Sequence, residues 1–169
     1  GALSAQYPDF APGWGVRCEL NLDLRRPEQA LLAIQQALQL TPDNKQWHLL
    51  RVRCLLDLGR LLEAKTAALA LAESDFDTHQ QAAGMGTLLT RLDLHKEAVE
   101  QYVNAIAMAP HVASNHYNLA TAQRFIGDTD AAIMSLDQAI ALNAKDHEAM
   151  GLRSSLRKQR PDDNHIEEL

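Results

Sequence analysis

The residues best able to do chemistry in this 169-residue chain are seven histidines and two cysteines. Imidazole nitrogens and thiolates are the ligands that zinc prefers, but a zinc site needs them in closely spaced pairs. The histidines are scattered instead, and the nearest two, His111 and His116, lie five positions apart across a predicted helix start. We therefore predict no metal site and interpret the histidines as surface or inter-helix residues.

The cysteines, Cys18 and Cys54, both occupy small-residue positions within helical patterns. A free cysteine behaves as a small buried apolar residue, so this placement favours two buried free thiols over a disulfide. Free thiols persist in reducing compartments, which favours a cytoplasmic location.

Motifs of catalysis and cofactor binding are missing from the sequence. The glycines Gly84 and Gly86, on either side of Met85, lie within a helical pattern, which favours close helix packing over a phosphate-binding loop. The nucleophile-elbow pattern is also absent. We therefore predict no catalytic residue and no cofactor, and hence a protein that is not an enzyme.

Composition and charge narrow the partner class. Hydrophobic residues make up 46% of the chain but aromatics only 5%, so the core must consist mainly of Leu, Ala and Ile in helices. The net charge of -6, with no basic stripe, disfavours nucleic acids and anionic membranes as partners. We also expect no membrane span and no retained signal peptide, because no run of 18 apolar residues occurs.

The elements that would position a binding site recur with a period of about 34 residues, the period of a helix-turn-helix solenoid. Residues of the same kind return at that interval, as in the series Ala30, Ala64, Ala98, Ala132 and the series Ala37, Leu71, Ala105, Ala139. The predicted organisation is a leading segment 1–10, four repeats at 11–44, 45–78, 79–112 and 113–146, a capping helix 147–160 and a tail 161–169. Because the chain begins with Gly, and residues 1–10 look like the end of a preceding helix, we expect a piece of a longer protein.

Helix boundaries carry their own signals. Pro27 suits a first helical position, Thr78 with Gln81 forms a capping box, Asp146 can cap the last helix, and Pro161 ends it. The final apolar face, Met150, Leu152 and Leu156, predicts that this helix covers the exposed end of the stack.

The turn inside each repeat needs a residue in the left-handed conformation. Gly59 and Gly127 fit that position, and Asp93 tolerates it. Arg25 holds the same position in the first repeat, where the conformation costs about 1–2 kcal/mol. We therefore expect the first turn to differ.

These positions resemble the tetratricopeptide repeat family. The matching residues are Met85, Gly86, Ala98, Tyr102, Ala105 and Pro110 in the third repeat, and Leu119, Ala120, Gly127, Ala132, Leu136 and Ala139 in the fourth. The resemblance implies an all-α fold, a right-handed α-solenoid of four repeats plus a C-terminal capping helix. Arg17 and Arg51 depart from the Leu that the family usually has, which puts the first-helix packing of repeats one and two in doubt.

The resemblance also implies a scaffold that binds a protein or peptide partner in a concave groove lined by the first helix of each repeat. Carried over by position, the groove residues are Leu49, Arg53, Leu56, Thr87, Thr90, Arg91, Tyr117, Thr121, Arg124 and Phe125. The family members that bind the acidic C-terminal tails of chaperones use a clamp of Lys and Asn side chains, and no Lys–Asn pair occupies those positions here. Such tails are therefore not the expected partner.

Two other functions stay open. The chain could be the docking part of a larger enzyme, since Leu152 to Leu169 resembles the junction between tetratricopeptide repeats and a sulfotransferase domain in bacterial proteins. It could also be an assembly module that stacks end to end through uncovered terminal repeats. The sequence does not decide the oligomeric state.

Overall fold

The computed structural model describes residues 9–158, which contain nine α-helices and no strand. Most of the predicted leading segment 1–10, all of the tail 161–169 with Pro161, and the last two residues of the predicted capping helix lie outside this range. The described chain divides into two compact units, one ending at Asp77 and one beginning at Thr78.

Unit 1 contains the helix pairs of the first two predicted repeats, and unit 2 those of the next two with the capping helix. The helices of unit 1 are α1 (Ala11–Asp23), α2 (Pro27–Leu40), α3 (Lys45–Asp57) and α4 (Leu61–Ala72). Those of unit 2 are α5 (His79–Arg91), α6 (His95–Met108), α7 (Ala113–Phe125), α8 (Thr129–Leu142) and α9 (His147–Lys158). Within each unit, every helix packs against the next one along the chain.

The predicted helix starts are confirmed by the atoms that cap them. Thr78 Oγ1 accepts a hydrogen bond from the amide of Gln81 at 3.3 Å, and Asp146 Oδ1 accepts one from the amide of Ala149 at 3.0 Å. Pro27 is the first residue of α2, where its missing amide proton leaves no bond unmade. The first turn of a helix has backbone amides without a partner inside the helix. Thr78 and Asp146 accept from one such amide each, and Pro27 has no amide proton to pair.

The alanines that recur every 34 residues lie in the protein interior, on the second helix of each pair. Ala30, Ala64, Ala98 and Ala132 are all fully buried, at 0% exposure. A longer side chain there would push the two helices apart, because protein interiors are close-packed. Close packing explains Gly86, because a Cβ added there would lie 2.8 Å from the Tyr102 ring. It does not explain Gly84, because a Cβ added there would have no neighbour within 4 Å.

The two arginines that depart from the family pattern do not prevent helix pairing. Arg17 is half-buried, with its guanidinium carbon 5.3 Å from the centroid of the Trp14 ring. Arg51 is also half-buried, at the edge of a cavity beside α3 and α4. Because the long aliphatic stem of an arginine can lie along an apolar surface while its head stays hydrated, both replace Leu without separating α1 from α2 or α3 from α4.

The turn between α1 and α2 was expected to differ, and this expectation is wrong. Arg25 has φ 56°, in the same left-handed region as Gly59 at 71°, Asp93 at 59° and Gly127 at 83°. The strain is offset by two backbone hydrogen bonds that end α1, from the Arg25 amide to Leu22 O at 3.0 Å and from the Arg26 amide to Asn21 O at 2.8 Å. Gly59 and Arg60 make the equivalent pair at the end of α3, at 2.9 Å each.

Replacing Arg25 with glycine is therefore expected to stabilise unit 1 by about 1 kcal/mol, since glycine adopts this conformation without a steric penalty. Urea unfolding would show a higher midpoint with an unchanged slope. The matched control, Gly59→Arg, should lower the midpoint by a similar amount. Equal midpoints for Arg25→Gly and the unaltered chain would show that the left-handed turn at Arg25 carries no strain.

The capping helix α9 packs on α8, as predicted. Leu136 and Leu156 are buried in one apolar cluster together with Ala132, Ile133, Ala139 and Ala149, and Ile140 and Leu152 pack against it. Met150, predicted for this face, is only half-buried. Arg153 and Arg157 of α9 reach the Asp137 carboxylate on α8 at 2.8 and 3.5 Å.

Candidate partner-binding face

The two first helices of unit 2, α5 and α7, lie side by side and carry seven of the ten predicted groove residues. The α5 residues are Thr87, Thr90 and Arg91, and the α7 residues are Tyr117, Thr121, Arg124 and Phe125. Their exposure differs widely, so their capacity to contact a partner differs as well.

The three threonines of this face direct their hydroxyl protons back into the helices. Thr87 Oγ1 donates to Ala83 O at 3.0 Å, Thr90 Oγ1 to Gly86 O at 2.9 Å, and Thr121 Oγ1 to Tyr117 O at 3.1 Å. A hydroxyl has a single proton to donate, so these side chains offer a partner only acceptor atoms and small apolar surface.

An ordered aromatic group stands at the end of α7. The Phe125 side chain is 54% exposed, yet its ring stacks on the His95 ring of α6, with centroids 4.4 Å apart and planes 7° apart. The Arg124 guanidinium carbon lies 4.7 Å from the centroid of Phe125, and Asp93 Oδ1 lies 3.8 Å from His95 Nε2. We call Arg124, Phe125 and His95 the α7 stack.

The α7 stack combines an exposed aromatic ring with an arginine. The His95 ring holds the Phe125 ring by stacking, so less side-chain entropy would be lost if a partner covered it. Arginine beside an aromatic ring is also a combination enriched at energetic centres of interfaces. Sequence reasoning placed Phe125 and Arg124 here but missed His95, because no helical period relates residues thirty positions apart.

The remaining aromatic residue of the predicted groove lies deeper. Tyr117 is half-buried and packs against the apolar cluster of α8 and α9. It therefore contributes to the core of unit 2 and exposes only part of its ring to a partner.

Unit 1 exposes less of its predicted groove. Leu49 is 6% exposed and belongs to the core, and Leu56 is half-buried. Arg53 is exposed on α3 and lies 4.0 Å from Asp57 Oδ2, one turn further along. Of the three groove residues predicted here, only this arginine is exposed.

A concave feature of unit 1 was not predicted. A cavity of about 820 Å³ lies beside α3 and α4, and all of its lining residues belong to unit 1. Its wall includes Val52, Leu71 and Leu62, the last 80% exposed, with Arg51 and Glu63 at the rim. None of the ten predicted groove residues lines it, because the family positions refer to first helices and half of this wall comes from a second helix.

Two histidines have a repeated structural contact. The His48 ring nitrogen Nε2 lies 2.6 Å from Pro42 O, and the His116 Nε2 lies 2.8 Å from Pro110 O. The two pairs are equivalent, because each ring ties the first helix of a repeat, the second or the fourth, to the loop that ends the preceding repeat. Among residues 9–158, no group of three or more His, Cys, Asp or Glu side chains is arranged to hold a metal ion.

Comparison with known families agrees with the repeat pattern. Two family models described as tetratricopeptide repeat match the chain, one over residues 21–92 and one over residues 113–146. Together they cover more than half of it. The chain belongs to the tetratricopeptide repeat family. A comparison with curated protein sequences gives no significant match.

Solved tetratricopeptide repeat structures are similar over nearly the whole chain. "MamA RS-1 ArsTM double mutant" superposes with a TM-score of 0.76 at 17% identity, covering 94% of this chain and 89% of that one. MamA 41-end from Desulfovibrio magneticus RS-1 gives 0.74 at 18%, covering 90% and 86%. The Pseudomonas aeruginosa PilF protein gives 0.73 at 16%, covering 86% and 67%. At these identities the likeness shows the fold, an all-α tetratricopeptide repeat solenoid.

The other sequence resemblance gains no support from these comparisons. Most of the residues that carried the likeness to a sulfotransferase junction lie outside the described part of the tetratricopeptide repeat chain. In the part that is described, no helix is both long enough and apolar enough to cross a bilayer.

Proposed function

We propose that this tetratricopeptide repeat chain is a protein-interaction scaffold, and that unit 2 binds a peptide or partner surface on the face formed by α5 and α7. The observation that carries the proposal is the α7 stack, in which an exposed phenylalanine is held in one orientation beside an arginine. Family membership supports the general function, because stacked helix pairs offer an extended surface for a partner.

The chemistry of this face indicates what the partner presents. Arg91 and Arg124 stand in the last turns of α5 and α7, and both are exposed. A guanidinium binds a carboxylate through two parallel hydrogen bonds, and the Phe125 ring offers an apolar contact at the end of α7. The expected partner segment therefore combines an acidic side chain with an apolar one.

The partner classes that the sequence disfavours remain excluded in this proposal. We expect no binding to nucleic acid or to membranes, and no binding to chaperone C-terminal tails, for which the Lys–Asn clamp is missing. We also place the protein in the cytoplasm, supported by its two free thiols. Micromolar binding of a chaperone-tail peptide in calorimetry would contradict the exclusion of such tails.

Changing Arg91 and Arg124 together to Glu, or Phe125 to Ala, is expected to weaken capture of the native partner by about tenfold or more, as for a residue at an energetic centre. Tagged protein incubated with a lysate of the source organism, followed by quantitative mass spectrometry, measures the loss. Helical circular dichroism should be unchanged, because all three side chains are exposed.

The matched control is Met134→Ala, which removes an apolar side chain that is 70% exposed on α8 of the same unit. Capture by this variant should equal that of the unaltered chain. Full capture by both α5/α7 variants would place the binding surface elsewhere, on the second helices, the loops or the cavity of unit 1.

A further inference from the structure

The only two cysteines of the chain meet inside unit 1. Cys18 on α1 and Cys54 on α3 are both 0% exposed, and both are free thiols, as predicted from the sequence. Their sulfur atoms lie 3.7 Å apart, in van der Waals contact across two adjacent first helices. Thirty-six positions separate them in the chain, so the contact joins the first repeat to the second.

We propose that Cys18 and Cys54 form an oxidation site, a thiol pair that closes into a disulfide joining α1 to α3 when the protein meets a small-molecule disulfide. A disulfide bond is about 2.05 Å long, so the two sulfurs must approach by about 1.7 Å. Since the sulfurs are already in contact, rotation of the two side chains and a small shift of the helices can bring them to bonding distance. No other cysteine competes for either thiol.

The contact also prepares one thiol to react first. The hydrogen bond shared by the two sulfurs raises the pKa of Cys18 and lowers the pKa of Cys54. A thiolate at Cys54 is stabilised by the proton that Cys18 keeps, and the thiolate is the form that attacks a disulfide. Cys54 is therefore the expected nucleophile and Cys18 the resolving thiol.

The exchange balances in two steps. The Cys54 thiolate attacks one sulfur of the small disulfide, which breaks the S–S bond and releases one small thiol that takes up the Cys54 proton. Cys18 then loses its proton and attacks the Cys54 sulfur of the mixed disulfide, releasing the second small thiol. Two protein thiols are oxidised to one disulfide, and one small disulfide is reduced to two thiols.

Burial sets the rate of the reaction. Neither sulfur is exposed, so the oxidant reaches the pair only when α1 opens locally from α3. Gly13 and Gly15 both lie within the 13 residues of α1, which lowers its intrinsic helix propensity. Oxidation should therefore be slow, with a rate that follows the opening of α1.

The disulfide would fix the spacing of the two first helices of unit 1. Glu19 and Arg53, which adjoin the two cysteines in sequence, are both exposed on these helices. Oxidation would thus hold the exposed side of α1 and α3 in one arrangement and would resist unfolding of unit 1, because the bond closes a long loop in the unfolded chain.

The test is to incubate the full chain with oxidised glutathione for several hours, block remaining thiols under denaturing conditions and digest it. We expect a linked peptide containing Cys18 and Cys54 in a monomer that has lost the mass of two hydrogen atoms. The melting midpoint should rise by on the order of 10 °C and return on reduction. In the single variants Cys18→Ser and Cys54→Ala, we expect no linked peptide and no rise in the melting midpoint.

Two outcomes would overturn the proposal. One is that both thiols remain available to the blocking reagent even when a low urea concentration speeds local opening. The other is that oxidation yields only glutathione adducts or disulfides between chains. Because Cys54→Ala leaves a small apolar residue in a buried site, it serves as the single-thiol control if Cys18→Ser does not fold.

Discussion

Replacing Gly86 with alanine is expected to destabilise unit 2 by about 1–3 kcal/mol, although alanine is normally the better helix former. The added methyl group would lie 2.8 Å from the Tyr102 ring, well inside van der Waals contact. Tyr102 is 3% exposed, and its hydroxyl lies 3.2 Å from Thr87 Oγ1, so the ring cannot turn away without losing that contact. The variant must separate α5 from α6 or displace the ring.

The control lies two residues earlier on the same helix. Gly84 has no atom within 4 Å of the position that a Cβ would take, so Gly84→Ala should stabilise unit 2 by up to about 1 kcal/mol through helix propensity alone. Urea unfolding of both variants measures the difference. If both changes shift the midpoint in the same direction by the same amount, Tyr102 does not pack on Gly86 as the structure has it.

Removing residues 147–169 is expected to make the chain associate and melt at a lower temperature. The deletion bares Ile133, Leu136 and Ile140, which α9 covers, and an uncovered apolar end face drives repeat proteins to aggregate. Loss of the Leu156 side chain, which is 2% exposed, by itself lowers the free energy of unfolding by about 1.5–3 kcal/mol.

Light scattering over a range of concentrations detects the association. The control deletes only residues 159–169, leaves α9 and its Arg153–Asp137 ion pair in place, and should behave as the full chain does. A monomer with an unchanged melting midpoint after the longer deletion would show that α9 does not cap unit 2.

The helices and their pairing were predictable because the residues that determine them, small residues between helices and capping residues at helix starts, recur along the sequence. Ala98 and Ala132 recur where one helix lies against its partner, and both are fully buried. The same holds for Thr78 and Asp146, whose side chains can satisfy a backbone donor only at a helix start. Local chemistry of this kind needs no knowledge of distant contacts.

The parts that were not predictable depend on such contacts. Arg25 adopts a left-handed turn because two backbone hydrogen bonds at the end of α1 outweigh its strain. The stacking of His95 on Phe125 joins residues on different helices, and their types alone do not indicate a pair. Likewise Leu49 occupies a groove position of the family, yet α3 directs it into the core of unit 1.

The central claim is that a partner binds the α5 and α7 face of unit 2. Hydrogen–deuterium exchange on the full chain, alone and saturated with the partner captured from lysate, tests it most directly, because protection reports which segments the partner covers or rigidifies. We expect added protection at the C-terminal turns of α5 and α7, around residues 87–91 and 121–125. Protection confined to α6 and α8, or to the cavity beside α3 and α4, would contradict the claim.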